Sequence, residues 1–311
     1  MERSMELRHI RHFLAVVETG SFAGAARSLG LSQQALSASI GNLEKELSVE
    51  LFHRTGMQTV LTSYGNVLLK HAQLLDGEAD RAITALRQYR EADVGEIRIG
   101  VGESFAGHIA PLAIDRLLKR SPQITVWITE NYSQFLLEQL LEAKLDFVVG
   151  TQPAAWRQNS DLEQEFMFES SDVVFARASH PLAERKKLKI ADLQGFPWII
   201  GPNMPETYEV VCSAFLEKGL QPPKHFIYSD AIATGLGLMM RNDYLHFSTP
   251  DLLDFAVVCG LVVKLKIEKP HRIRRACIWF RKNGILSPAA ALLLDEMRAA
   301  SIEIRAAQKT Q

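Results

Sequence analysis

"GSFAGAARSLGLSQQALSASIGNLEKEL", residues 20–47, holds two helix-like segments rich in Ala and Ser that meet at a Gly-Leu-Ser corner. Ser21 is placed to cap the first, which carries Phe22, Ala25, Ala26 and Leu29 and stops at Gly30. Ser32 is placed to cap the second, whose inward face is Leu36, Ile40, Leu43 and Leu47. The small Ala26 lets the second segment pack closely, and Gly30 accepts a left-handed corner. This is the helix-turn-helix arrangement, whose second helix enters the DNA major groove. The outward face of that helix, Ser32, Gln33, Gln34, Ser37, Ala38 and Asn42, is short and polar. Gln and Asn pair bidentately with adenine, and Ser or Ala can approach the thymine methyl. The alternative is a structural helical hairpin, which has no need of such a surface.

Working outward, Leu7, Ile10, Phe13, Leu14 and Val17 mark one face of an earlier helix that ends at Gly20. Residues 51–61, "LFHRTGMQTVL", read as a small hairpin around Gly56, and Thr62 caps a long helix. In that helix Leu68, Ala72, Leu75, Ala79, Ala82, Leu86 and Tyr89 step alternately by four and three, a heptad seam. "EADVGE" (91–96) reads as a linker and leaves the seam no obvious partner in its own chain, so self-association is expected. From residue 96 strands and helices alternate: strands at 96–101, 124–130 and 145–151, with helices at 104–120 and 133–144 between them. A second set follows, with strands at 172–177, 197–201, 225–229 and 244–249 and helices at about 205–218 and 230–240. A strand at 274–282 and a helix from Ser287 to about Ala307 close the chain. This grammar predicts two α/β lobes with mostly parallel sheets covered on both faces.

A chain of 311 residues exceeds what one core normally organises, which fits this division. The net charge of −1 excludes a diffusely basic nucleic-acid coat but not one small DNA-reading module. Cys212, Cys259 and Cys277 are too scattered for a disulfide framework or a zinc site and read as buried, inert thiols. The start, "MERSMELRHIRHFL", lacks a signal-peptide core, and the longest apolar run, 255–263, is too short to span a membrane, so the expectation is cytoplasmic. No G-x-S-x-G, P-loop or H-E-x-x-H occurs, and "GESFA" (102–106) fails the nucleophile elbow, so no enzyme is expected. "IGVGESFAG" (99–107) has Phe105 where a dinucleotide fingerprint needs its third glycine. It leaves a helix N-terminus with Ser104 at its mouth, suited to an anion or simply to a self-capping serine. Ligands of two-lobed α/β modules bind beyond the strand C-termini, which nominates Ser104, Phe105, Asn131, Tyr132, Thr151, Pro202 and Phe247. The histidines show no metal-ligand spacing; neither a metal nor a cofactor is expected. A secreted solute-binding protein shares the two-lobed form, but it would need export and would not need the helical N-terminal segment.

The run "FLAVVETGSFAGAARSLGLSQQALSASIGNLEKEL", followed by "ELFHR" and "LTSYG", resembles the LysR-type transcriptional regulator family, densely over residues 5–70 and loosely to the C-terminus. The resemblance implies a winged helix-turn-helix at 1–62 and a linker, or dimerisation, helix at 63–92. It further implies a periplasmic-binding-protein-like α/β domain whose lobe 1 is 95–165 plus 268–307 and whose lobe 2 is 166–267. It makes Ser32, Gln33, Gln34 and Ser37 groove-facing and puts Arg54 in the wing on phosphate. It places an effector pocket between the lobes, supporting Ser104 most directly. It also implies homodimers that assemble into tetramers on promoter DNA and recruit RNA polymerase. The chain departs from the family where Gln34 replaces a frequent Pro and Ala38 a frequent Arg, and where Gly41, Asn42, Gly56 and Met57 stand at commonly basic positions. Residues 1–66 hold six Lys/Arg against six Asp/Glu, so each module should grip phosphate weakly and several half-sites should share the affinity.

Overall fold

Two serines open the paired helices of the N-terminal unit. In the computed structural model, which describes residues 5–53, 59–90, 95–154, 156, 159–202, 205–268 and 270–308, this unit comprises α1 (Leu7–Thr19), α2 (Phe22–Leu29), α3 (Gln33–Leu47), β1 (Phe52–His53), β2 (Val60–Leu61) and α4 (Ser63–Arg90). The Ser21 hydroxyl accepts from the Gly24 N–H at 3.1 Å, and that of Ser32 from the Ala35 N–H at 3.1 Å. Gly30 ends α2 at φ 66°, a left-handed corner that a side chain would strain. Ile10, Phe13, Val16, Ala25, Ala26, Leu36, Ile40 and Leu43 then close into one core, against which Leu51 and Phe52 pack. Phe52 sits 5.3 Å from Phe13 and 5.6 Å from Phe22, ring centre to ring centre, which ties the hairpin to both helices.

The heptad seam of α4 is not left wholly without a partner, contrary to expectation. Ala72 is buried in this core and Leu68 packs on it, while Arg11 of α1 reaches Asp76 and Asp80 at 2.6 Å each. The start of the seam therefore belongs to the helix's own domain. Further along, Leu75 and Leu86 stay exposed, Leu86 at 73 %, and so do Tyr64 and Val67 in the first turns of the helix. The side chain of Tyr89 lies outside the described residues, as do Arg54, Gly56 and Met57 of the hairpin.

The second unit contains β3 (Glu96–Val101), α5 (Glu103–Ala106), α6 (Ile109–Arg120), β4 (Thr125–Glu130), α7 (Ser133–Leu141), β5 (Phe147–Thr151) and β6 (Leu162–Ser171). It continues with β7 (Val173–Arg177), β8 (Trp198–Ile200), α8 (Pro205–Leu216), β9 (Phe226–Tyr228), α9 (Ile232–Arg241) and β10 (Leu245–Ser248). The last elements are α10 (Asp254–Val258), β11 (Val262–Lys264), β12 (Ile273–Arg281) and α11 (Pro288–Gln308). Lobe 1 holds a five-stranded sheet in the order β4-β3-β5-β12-β6, and lobe 2 one in the order β11-β7-β10-β8-β9. Both sheets are mixed rather than mostly parallel. In lobe 1, β3 pairs parallel with β4 and β5, while β12 runs antiparallel to β5 and β6. In lobe 2, β8 pairs parallel with β9 and β10, while β7 runs antiparallel to β10 and β11. The antiparallel strands are where the chain crosses between lobes, a role local grammar does not display.

β6 went unanticipated because "LEQEFMFESS" carries three glutamates on an edge strand. It belongs to lobe 1, so the crossover falls at Asp172 and the 165/166 boundary cuts through a strand. The single helix expected at 104–120 is two, α5 and α6, broken at Gly107, whose backbone lies so close to the Asp251 carbonyl that a Cβ would sit 2.2 Å from it. Each lobe has its own core. In lobe 1, Ile97, Ile99, Phe147 and Val149 pack with Ala113 and Leu117 of α6 and Leu293, Met297 and Ala300 of α11. In lobe 2, Trp198, Phe215, Leu245 and Phe247 form the corresponding cluster.

Candidate functional site

On α3 the inward residues Leu36, Ile40 and Leu43 are buried, and Ser32, Gln33, Gln34, Ser37, Ala38 and Asn42 are exposed. The helical period separates them. A three- or four-residue step keeps Leu, Ile and Leu on the core, and the polar residues fall between. Ser32 spends its hydroxyl oxygen on the helix cap. Ser39, at the edge of the face, is within 2.7 Å of His12 Nδ1, which braces α3 against α1. Burial, followed by the nearby His9 and Arg8, holds His12 below its ordinary value.

The second candidate site is a cleft at the carboxyl ends of β8, β9 and β10, enclosing about 500 Å³ including its open mouth. Ile199, Ile232, Leu236, Met239, Leu252 and Leu253 supply an apolar wall. Thr207, Ser229, Asp230 and Ser248 supply polar groups from lobe 2, and Tyr132 and Arg274 enter from lobe 1. Tyr132 reaches across to Gly201 so closely that a Cβ there would lie 2.6 Å from the phenol oxygen. His246 holds the Ile199 carbonyl through Nδ1 at 2.9 Å.

Of the nominated lining residues, the cleft brings together Tyr132 and Phe247. Phe105 does not line it: this side chain is 0 % exposed and packs in the lobe 1 core, 5.6 Å from Phe168. The helical turn after Gly102 carries Phe105 into the core, away from the cleft. Thr151 is buried on β5 opposite Ala276, and Asn131 is exposed, its Oδ1 accepting from the Tyr132 N–H at 2.8 Å. Pro202 is exposed beside the cleft residue Gly201. The Ser104 side chain lies outside the described residues. Among the cysteines, Cys212 and Cys277 are buried, with burial pushing both thiols up, whereas Cys259 is exposed, against expectation.

Arg274 escaped sequence reading, together with a group of ionic residues where the lobes join. The Nε atoms of Arg272 and Arg274 both donate to Asp172 Oδ2, at 2.7 and 3.0 Å, and Arg272 Nη1 donates to Thr207 Oγ1 at 3.0 Å. The crossovers themselves touch, the Asp172 N–H donating to the Arg272 carbonyl at 2.8 Å. Nearby, buried Asp251 accepts from Arg305 Nη2 at 2.7 Å and from the Thr249 hydroxyl at 3.2 Å. Arg305 also lies 3.6 Å above the Phe168 ring. A signal was present: along β12, Arg274 shares its inward register with Ala276 and Ile278, where a charge needs a reason.

Among the described residues no group of His, Cys, Asp or Glu could hold a metal ion, and no helix is long and apolar enough to cross a membrane. Residues 7–66 match the family described as "Bacterial regulatory helix-turn-helix protein, lysR family", and residues 90–301 match "LysR substrate binding domain". The "SDS degradation transcriptional activation protein" of Pseudomonas sp. (strain ATCC 19151) is 32 % identical, covering 94 % of this chain and 96 % of its own. The "Transcriptional dual regulator GltC" of Bacillus subtilis (strain 168) is 26 % identical over 92 % and 94 %. Among solved structures, CbnR in complex with its target DNA is similar at a TM-score of 0.66, with 22 % identity and 95 % and 100 % coverage.

Proposed function

Because this chain belongs to the LysR family of DNA-binding transcriptional regulators, we propose that α3 reads the operator through Ser32, Gln33, Gln34 and Ser37, with Arg54 gripping phosphate. The observation that carries this reading is the exposed, short-sided polar face of α3, set opposite buried Leu36, Ile40 and Leu43. Relatives that are named transcriptional regulators agree with a role that involves no catalysis.

The chain works in the cytoplasm as a homodimer or homotetramer joined through residues 63–92. Exposed Tyr64, Val67, Leu75 and Leu86 support that assembly: at about 3.6 residues per turn they share one side of α4. Promoter-bound oligomers contact RNA polymerase. A small anionic effector occupies the cleft between the lobes, where Tyr132 and Arg274 of lobe 1 meet the wall of lobe 2. By binding one lobe arrangement better than another, the effector shifts the spacing of DNA-binding domains in the oligomer. The 32 %-identical relative is named for SDS degradation, and SDS joins an anionic head to an alkyl chain. That chemistry fits a cleft with a guanidinium beside an apolar wall.

A mobility-shift titration of the full chain on its own upstream region, at several salt concentrations, tests the DNA-binding reading. A retarded complex that outlasts excess competitor DNA is expected. Retardation abolished equally by any competitor sequence would remove operator reading.

A further inference from the structure

Resting on the reading that the lobe cleft holds a small effector, we propose that Arg274 is its anion receptor. The ligand is an amphipathic monoanion, a carboxylate or sulfate on a short alkyl chain, which competes with Asp172 for that guanidinium. Arg274 is 8 % exposed and lines the cleft beside Thr207, Ser248 and Phe247. A desolvated guanidinium is a planar, bidentate partner for carboxylate or sulfate, and its charge-assisted bonds are the strong ones. Its Nε stands 2.9 and 3.0 Å from the two oxygens of Asp172, and Arg272 shares Oδ2. A headgroup arriving from the cleft competes with a carboxylate that Arg274 already shares with Arg272. The alkyl chain runs along Ile199, Ile232, Leu236 and Met239, where each buried methylene adds to affinity.

The competition gives the ligand a differential contact, which any effector requires. Asp172 stands in the crossover from β6 to β7, and its N–H holds the neighbouring crossover at Arg272. Drawing Arg274 off Asp172 removes one side-chain tie between the two crossovers, so the ligand-bound and ligand-free lobes settle differently.

Calorimetric titration of the full chain with octanoate, hexanoate and octan-1-ol tests this. Octanoate should bind the wild type, octan-1-ol at least tenfold more weakly, and hexanoate about fifteenfold more weakly, at roughly fourfold per methylene. Arg274→Gln should lose octanoate affinity at least tenfold while octan-1-ol is unmoved, and Arg274→Lys should recover part of it. Asp172→Asn should bind octanoate severalfold more tightly, because the competitor's charge is gone. A purely structural ion pair gives another pattern, in which both variants weaken octanoate and octan-1-ol alike, and that result overturns the proposal. If a variant fails to fold, the wild-type octanoate to octan-1-ol ratio decides, and a ratio near one overturns it. Should octanoate fail to bind while other small anions raise thermal stability, the alkyl-anion assignment falls and the effector reading stands. If no small anion has any effect, both fall.

Discussion

Replacing Gly65 by Ala separates the N-terminal unit from the rest of the molecule experimentally. Gly65 lies in the first turn of α4, where Thr62 caps the helix: its Oγ1 accepts from the Gly65 N–H at 3.0 Å and donates to the Glu50 carbonyl at 2.7 Å. A Cβ at Gly65 would stand 2.2 Å from the Leu51 carbonyl oxygen, which already accepts from the Thr62 N–H at 2.9 Å. Backbone atoms on both sides must move. Overpacking of this kind costs about 1–3 kcal/mol. Losing the Thr62–Leu51 hydrogen bond adds about 1 kcal/mol, for a total of about 2–4 kcal/mol. In a domain of this size each kcal/mol shifts the melting point by about 4–8 °C, so a drop of at least about 8 °C is expected. All four tryptophans, Trp127, Trp156, Trp198 and Trp279, lie in the second unit, so tryptophan fluorescence follows that unit alone while far-UV circular dichroism follows both. Gly65→Ala should lower the dichroism transition and leave the fluorescence transition in place. Gly41→Ala is the control: its Cβ meets nothing within 4 Å, so helix propensity should stabilise the unit by up to about 1 kcal/mol. Equal melting of Gly65→Ala and wild type would refute the packing account of the α4 junction.

Asp251→Asn takes the charge from the buried partner of half-buried Arg305 and should cost about 3 kcal/mol, read as a lower urea midpoint by tryptophan fluorescence. Burial holds His180 below its ordinary value, so the unfolded chain takes up the proton first. The stability this contributes is present above the unfolded value of 6.5 and is lost as pH falls through the folded one. Urea midpoints at pH 7.5 and 5.5 should therefore differ more for wild type than for His180→Gln, and equal differences would contradict the assignment. Leu75→Glu with Leu86→Glu should shift sedimentation toward a smaller species by placing charge on the exposed stripe of α4. Unchanged sedimentation would move the association surface elsewhere.

What sequence could and could not disclose follows from the range of the interactions. The α2–α3 corner was legible because caps, a glycine turn and a helical period are all local: Ser21, Gly30, Ser32 and Leu36 lie within a short stretch and sit as expected. The strands β3, β4, β5, β8, β9 and β10 were legible for the same reason, as short apolar runs between helices. β6 was not, since its pairing with β12 joins residues more than a hundred positions apart and its alternating glutamates mask the strand. The cleft was half legible. Tyr132 and Phe247 follow from strand ends, but Arg274, Thr207 and Asp172 meet only because two crossovers run side by side. Phe105 shows the opposite error: a strand-end position does not reveal that the side chain turns into the core of its own lobe. Leu68 and Ala72 continue a heptad on paper, yet they serve their own core, because a repeat in sequence does not say what lies against it.

In the proposed complex the exposed polar face of α3 lies against the base edges. The most direct measurement is a nuclease footprint on the upstream region, comparing wild type with the double variant Gln33→Ala, Gln34→Ala over a range of salt. Wild type should protect a site whose affinity the double variant loses by about 1–3 kcal/mol per bidentate contact, with an unchanged salt slope because no phosphate contact is touched. Identical protection of the same bases by both proteins would contradict that placement of α3.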